Sequence, residues 1–497
     1  MRKIVLPLAW VALVVLLSLG ISGSKRGNTG VLTAKPNIVF ILADDMRKDD
    51  LKYMPKTRSV LKTKGMSFSN AFVSNPLCCP ARATIMRGQY SHNTGVWSDM
   101  GSDKANTSEG GWKAYRKNGL EQDNVATRLQ AAGYRTGLFG KYLNGYNQGN
   151  TYIPPGWDRW FGAGAFRYFD YDANDQGTIR HFGGTIRHFG RSDSDYVTDV
   201  VREKAKTFIS TSAAQGKPFF AYVAPIAPHA PATPAPRDRH TYDDLKTPRP
   251  PSFNEKGVSE KPPWIRSRPR LTPDKIAKIN KRHEVRVETL QSLDDLVARI
   301  VGTLNNRGVM GNTYVFFTSD NGWSEGEHRR PGEKANPYEE DVRMPLLVRG
   351  PGVAAGSNTH KLALNTDYLP TFADLACSSS SPCDNQNWRY VPDGRSLLPV
   401  LKGNATNWRS AVLLENHQGP RKHAVPAYAG IRTVGAHEER KYLEHETGER
   451  ELYYLGSDPH ELKNRYPATT PSAGLVSRLQ ALKDCDGEGC QAAEDRQ

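Results

Sequence analysis

The chain has 497 residues, long enough for a large buried core, and carries 67 Lys and Arg against 52 Asp and Glu, a net charge of +15. That excess suits an anionic substrate or surface, and no zinc-finger spacing, RNA-binding aromatic motif or long basic run accompanies it, so nucleic acid is set aside as a partner. Of six cysteines, Cys377/Cys383 and Cys485/Cys490 are spaced for local disulfides in an oxidising compartment, which leaves adjacent Cys78 and Cys79 apart from the structural ones.

Met1-Arg2-Lys3, an uncharged and mostly apolar run over 4–21 and the small residues Ser22-Gly23-Ser24 read as a signal peptide over 1–24. Cleavage there gives an exported, secreted or cell-surface protein. The run is near the lower limit for a spanning helix, so an uncleaved N-terminal anchor is the alternative, and a membrane is a partner only in that case. Asn106 and Asn404 stand in Asn-x-Ser/Thr sequons.

Residues 37–42 form a short apolar run rich in β-branched side chains, the mark of a buried parallel strand. It runs directly into Asp44-Asp45, and ligands in open α/β sheets gather at the carboxyl ends of strands. A helix is predicted over 53–64 and a strand over 66–73, leading into Asn75-Pro76-Leu77-Cys78-Cys79-Pro80-Ala81-Arg82 and a helical turn over 84–88. A helix over 124–132 stops at Gly133, and a strand over 134–139 delivers Gly140-Lys141. Residues 177–183 and 184–190 are a tandem repeat of Gly-Thr-Ile-Arg-His-Phe-Gly, read as a β-hairpin with duplicated arms or a substrate-facing loop. A strand over 218–223 ends in a proline-stiffened loop that carries His229. Residues 237–286 hold 14 Lys and Arg against 7 Asp and Glu, a surface excursion that either binds an anionic polymer or is simply solvated. Thr272-Pro273-Asp274 starts a long core-facing helix or a broken pair of helices, with a polar gap at 286 in the apolar periodicity. A strand over 315–319 ends in Asp320-Asn321-Gly322, a strand and turn follow over 344–352, and a helix over 366–375 closes the large part. From about 400, short β-like segments and a helix over 473–483 indicate a smaller α+β domain. The predicted organisation is a signal peptide over 1–24, a catalytic domain over 35–400 and a C-terminal domain over 401–497. The fold class is α/β, with a mostly parallel central sheet flanked by helices.

Asp44, Asp45, Asp320 and Asn321 supply oxygen ligands from two strand ends, a set suited to Ca²⁺ or Mg²⁺ and not to zinc. Arg82, Lys141, His229 and Lys334 are cationic or protonatable groups that stabilise an oxyanion or move a proton if the fold brings them together.

The pattern Cys78-x-Pro80-x-Arg82 resembles the signature of the type I sulfatases of the alkaline-phosphatase-like superfamily. The resemblance extends over about 35–465 through Ala43-Asp44-Asp45, Gly140-Lys141, Pro228-His229, Thr318-Ser319-Asp320-Asn321-Gly322, Lys334 and the stretch over 338–346. It implies that a formylglycine-generating enzyme oxidises Cys78 to formylglycine, whose hydrate offers two geminal hydroxyls. One attacks sulfur; the other later loses its proton and expels sulfate. It further implies one divalent cation, calcium in preference to magnesium, held by Asp44, Asp45, Asp320 and Asn321 with the modified Cys78. Arg82 then stabilises the formylglycine, Lys141 and Lys334 bind the sulfate, and His229 or Lys334 protonates the leaving alcohol. Arylsulfatase-like members carry a histidine where this chain has Leu143, and Gly140-Lys141-Tyr142-Leu143-Asn144 is closer to the glucosamine-6-sulfatase and heparan sulfatase branch. Asn144 is the candidate to replace that histidine's contact. The expected substrate is a sulfated carbohydrate such as 6-sulfated N-acetylglucosamine. An aryl sulfate, a phosphonate or a phosphodiester is the rival substrate, and an inactive binder of anionic glycans is the rival function.

Overall fold

Seven consecutive buried residues, Asn37–Ala43, form strand β1 in the middle of a ten-stranded sheet. The computed structural model describes residues 1, 35–100, 110–146, 150–163, 167–182, 192–377, 389–417, 425–435 and 439–496. The predicted signal peptide, the Asn106 sequon and the second copy of the tandem repeat lie outside them. The remaining strands are β2 Met66–Phe68, β3 Ala71–Phe72, β4 Arg135–Gly140, β5 Arg159–Ala163, β6 Tyr171–Asp175, β7 Thr178–Phe182 and β8 Phe219–Ala224. They continue with β9 Thr313–Ser319, β10 Leu346–Arg349, β11 Ser357–Thr359, β12 Ala363–Leu364, β13 Ala411–Asn416, β14 Tyr428–Thr433, β15 Arg440–His445 and β16 Arg450–Tyr454.

The large sheet runs β11-β2-β10-β9-β1-β8-β4-β5-β6-β7. Its centre, β9-β1-β8-β4-β5, is parallel throughout, and β10 and β6 join on either side in the antiparallel sense. Alternation along β1 explains why both faces are covered. Ile38, Phe40 and Leu42 pack into one core with Tyr222, Tyr368 and Phe372. Val39 and Ile41 pack into the other with Phe208 of the Val197–Ala214 helix and Leu290, Leu293 and Val297 of the Pro273–Asn306 helix. The latter is one unbroken helix of 34 residues, so the broken-pair alternative falls away. Thr272 caps it, accepting from Lys275 N–H.

Three local expectations change. The strand over 66–73 is two short strands, because Ser69-Asn70 turns the chain and β3 pairs with β12 in a separate two-stranded sheet. The first copy of the tandem repeat forms a hairpin arm with β6, a partner the sequence reading did not single out: Asp175 lies opposite Thr178 across a turn at Gln176-Gly177. Cys78 and Cys79 are not ahead of a helix; the helix is Cys78–Arg87 and they open it. Pro80 at the third position costs no hydrogen bond, since the first N–H groups of a helix have no intrahelical acceptor.

The C-terminal strands β13-β14-β15-β16 form an antiparallel sheet backed by the Ala473–Lys483 helix. A second helix, Gly487–Asp495, contains Cys490, whose disulfide ties it to Cys485 just ahead of it, and has no counterpart in the sequence reading. Cys377 is also disulfide-bonded, and its expected partner Cys383 lies outside the described residues. Leu413, Ile431, Leu443 and Leu479 share one apolar cluster with Phe72, Tyr90 and Tyr338, and residues 34–497 form one compact unit. Among the described residues no helix is long and apolar enough to cross a membrane.

Candidate active site

Parallel pairing brings four strand ends to one edge of the sheet. Ala43 at the end of β1 lies beside Ser319 at the end of β9, and Gly140 of β4 lies beside Ala224 of β8. The chain therefore releases Asp44-Asp45, Lys141, the loop that carries His229, and Asp320-Asn321 at the same place, where ligands bind in open α/β sheets. Gly140 is required there: at φ 112 a Cβ would stand 2.1 Å from the Ala224 carbonyl oxygen.

The Cys78–Arg87 helix points its first residue into this edge. Cys78 Sγ lies 3.4 Å from Asp44 Oδ1, 3.8 Å from Asp45 Oδ1 and 2.7 Å from Lys334 Nζ. Lys334 also donates to Asp45 Oδ1 at 2.6 Å, and Lys141 donates to Asp44 Oδ2 at 2.7 Å. Arg82, one turn beyond Cys78 and fully buried, donates from Nε to Asp320 Oδ2 at 2.8 Å and from Nη1 to the Lys141 carbonyl at 3.1 Å. Asn321 Nδ2 donates to Asp45 Oδ1 at 2.6 Å, and His229 Nε2 lies 3.6 Å from Asp45 Oδ2. Every residue singled out in the sequence for catalysis or metal binding thus stands in one connected cluster.

Burial opposes charge on Asp44, yet Lys141, then His229, Arg82 and Lys334, outweigh it and hold the carboxyl far below its ordinary range. Burial is outweighed on Asp45 too, chiefly by Lys334 and His229. Asp320 moves the other way, pushed up by burial and by its neighbour Asp44 against the pull of Arg82. Burial pushes the Cys78 thiol well up, although Lys141 and Lys334 oppose it. An unmodified thiol here is protonated and a poor nucleophile. Burial also lowers His229 below the usual imidazole value, despite Asp45 and Asp44.

The donor set fits a hard cation. Asp45 Oδ2 and Asn321 Oδ1 are buried without a hydrogen-bond partner, and buried polar oxygens are rarely left so. Asp44, Asp45, Cys78 and His229 can each place a ligand atom within 4.8 Å of the others. Oxygen donors dominate, as calcium or magnesium requires.

Sequence reading missed the residues behind this cluster. Arg286, in the polar gap of the long helix, donates to the Asp45 carbonyl at 2.7 Å; the gap was the only signal. Asp99 accepts from the Cys79 N–H at 2.9 Å and carries no motif. Cys79 itself is a buried free thiol beside the nucleophile position. Asn144 is engaged through its backbone, its carbonyl accepting from Trp112 N–H at 2.7 Å, and not through a side-chain contact to the cluster.

The fold is that of the alkaline-phosphatase-like hydrolases. A solved structure described as a complex with its substrate D-glucosamine-2-N,6-O-disulfate superposes with a TM-score of 0.74 at 22% identity, covering 93% of this chain and 100% of that one. The sulfatase family model matches residues 36–378, and a model described as "N-sulphoglucosamine sulphohydrolase, C-terminal" matches residues 326–483. The chain belongs to the sulfatase family and is a sulfuric ester hydrolase. It is 31% identical to an N-acetylglucosamine-6-sulfatase of Capra hircus over 95% of this chain and 87% of that protein. It is 32% identical to an arylsulfatase of Volvox carteri over 92% of this chain and 76% of that protein.

Proposed function

We propose that this enzyme removes a sulfate ester from a sulfated carbohydrate, 6-sulfated N-acetylglucosamine being the substrate favoured, by means of formylglycine at position 78 and a divalent cation. The observation that carries the reading is the position of Cys78 Sγ, held between the Asp44-Asp45 carboxylates and the Lys334 ammonium. The sulfur stands where the hydroxyl of a hydrated formylglycine would sit. Asp44, Asp45, Asp320 and Asn321 hold the cation, calcium in preference to magnesium, and their side chains offer no soft ligand. When bound, the two groups supply a hydroxyl nucleophile and a positive charge beside the sulfate.

The chain's own residues supply the rest. Lys141 and Lys334 are pinned at 2.7 and 2.6 Å to Asp44 and Asp45, which presents two ammonium groups to the sulfate oxygens in fixed positions. Arg82 holds Asp320 and the Lys141 backbone, so the helix bearing position 78 and the strand end bearing Lys141 keep their spacing. His229 or Lys334 delivers a proton to the departing alcohol oxygen. Residues 35–400 carry this chemistry and 401–497 form the smaller domain. The leader over 1–24 directs the protein out of the cell, where sulfated glycans are met.

Support for the sugar comes from the Capra hircus relative, named for N-acetylglucosamine 6-sulfate, and from the solved neighbour's glucosamine disulfate. The Volvox carteri relative favours an aryl sulfate as the second reading. Sulfate release from 6-sulfated N-acetylglucosamine and from an aryl sulfate ester separates the two, with a higher kcat/KM expected on the sugar. Mass spectrometry of the peptide containing position 78 should show formylglycine in protein from its own host. Cys78→Ser is expected to lose at least about 1,000-fold in kcat, because serine lacks the second hydroxyl. Full turnover in that variant, or an unmodified thiol in active protein, would sink the mechanism.

A further inference from the structure

The polar break in the apolar periodicity of the Pro273–Asn306 helix is a buried guanidinium. Arg286 is 1% exposed. Its Nη2 donates to the Asp45 carbonyl at 2.7 Å, and its Nη1 donates to the Pro228 carbonyl at 3.4 Å. These two carbonyls belong to different loops: the turn that presents Asp44 and Asp45, and the loop whose next residue is His229. Asp45 sits at φ 62, a left-handed conformation uncommon outside glycine and best tolerated by side chains such as aspartate.

The rest of the guanidinium is held from behind. Nε lies 3.2 Å from Glu325 Oε1 and Nη2 lies 3.5 Å from Asp50 Oδ2, while the group stands 5.6 Å from the Trp323 ring centre. Glu325 is itself oriented: its other oxygen lies 2.6 Å from His283 Nδ1 and accepts from Thr247 Oγ1 at 3.0 Å. A cation that served burial alone would be satisfied by Glu325 and Asp50. Here two donors of one rigid planar fork go instead to backbone oxygens of the two loops that carry the chemistry, a geometry lysine cannot reproduce.

We propose that Arg286 is a positioning residue, a clamp that ties the Asp45 turn and the His229 loop to each other and to the long helix. It sets the spacing between a cation-binding carboxylate and the histidine without touching the substrate. The inference rests on the metal-dependent reading above, and its test is arranged to tell the two apart.

Calcium affinity of the chelator-treated full-length protein is measured by titration calorimetry, alongside kcat and KM on 6-sulfated N-acetylglucosamine and the thermal unfolding midpoint. Arg286→Lys keeps the positive charge facing Glu325 and Asp50 but loses the fork. It is expected to weaken calcium binding at least about tenfold and lower kcat by a similar factor, the range for residues that orient metal ligands, with KM within about threefold. Glu325→Gln leaves Arg286 in place with a weaker counter-charge and should move both quantities the same way by about threefold. Thr247→Val, which removes only the hydroxyl behind Glu325, should match the wild type.

Wild-type calcium affinity and kcat in Arg286→Lys overturn the proposal. So does an equal loss of affinity in Thr247→Val, which would mark a general packing effect. If Arg286→Lys does not fold, Glu325→Gln decides, and wild-type affinity there overturns the clamp. A wild-type protein that binds neither calcium nor magnesium overturns the metal reading instead; the clamp then stands or falls on whether Arg286→Lys lowers kcat.

Discussion

His229 shows how much a single side chain's role depends on its surroundings. As a loop histidine it is ordinary; half-buried 3.6 Å from Asp45, with burial pulling its pKa down against Asp45 and Asp44, it faces a charged cluster. If it passes a proton to the departing alcohol, its removal matters only for leaving groups that need that proton. His229→Ala should therefore lose about 100-fold or more in kcat on a sugar sulfate, yet less than about tenfold on an aryl sulfate with an acidic phenol. Steady-state assays on both substrates check this, and an equal loss on the two would shift the proton donor to Lys334. Lys334 shows the same dependence from the other direction. It follows no strand end; the Ala335 N–H bond to the Pro76 carbonyl seats its segment beside the Cys78 helix, and its Nζ reaches Asp45 Oδ1 and Cys78 Sγ.

At the scale of elements, local chemistry explains some boundaries and fails at others. Asn124 caps the Val125–Ala131 helix, its Oδ1 accepting from Ala126 and Thr127 N–H while Thr127 Oγ1 accepts from Asn124 N–H. This reciprocal pair is a signature readable from neighbouring residues, and the helix begins within one residue of expectation. Asn124→Ala should cost about 1 kcal/mol of stability and leave kcat unchanged, measured by urea unfolding and sulfate release. The break between β2 and β3 has no such local cue. Met66, Phe68, Ala71 and Phe72 are all buried, so the apolar pattern reads as one strand. The division comes from partners: β2 pairs with β10 and β11, while β3 pairs with β12, all of them nearly 300 residues away.

Across the whole molecule, the C-terminal sheet and the segment before the last helix hold the short Ser91–Thr94 helix that follows the Cys78–Arg87 helix. Glu415 of β13 accepts from the Ser91 N–H at 2.7 Å and lies 2.8 Å from His92 Nδ1, while His92 Nε2 lies 3.0 Å from the Cys485 carbonyl. Burial opposes the charge on His92, but the Glu415 hydrogen bond and charge, with Asp393 adding to them, raise its pKa to about 9. The sign follows from linkage: a raised folded-state value makes the contribution fully present below the unfolded value near 6.5 and lost as pH climbs through about 9. The difference in unfolding free energy between wild type and His92→Gln should be about 2–3 kcal/mol larger at pH 6 than at pH 10. Urea titrations of both proteins at the two pH values test it, and a pH-independent difference would show that His92 is neutral in the fold. Arg409 does related work deeper in, pairing its buried guanidinium with Asp367 near the end of the large sheet domain and with Glu494 of the final helix. Removing one partner of such a buried set leaves the others uncompensated and is therefore costly.

The candidate site was legible because its parts are properties of short stretches. Asp44-Asp45, Gly140-Lys141 and Asp320-Asn321 each follow an apolar β-rich run, and in a parallel sheet every such run ends at the same edge. The Cys78-x-Pro80-x-Arg82 pattern, the N-caps at Asn124 and Thr272, and the final strand-and-helix segments are legible for the same reason, since near neighbours along the chain determine them. Other features depend on residues far apart in sequence, and only the tertiary structure decides those. The single 34-residue helix runs unbroken through position 286 because Arg286 finds Asp45, Pro228 and Glu325 across the fold; in isolation a charge at a core position reads as a break. The first repeat copy pairs with β6 because a tight turn at Gln176-Gly177 brings it there, whatever its duplicate does. A buried charge or a strand partner is stabilised by groups that are adjacent only after folding, so no local pattern can announce them.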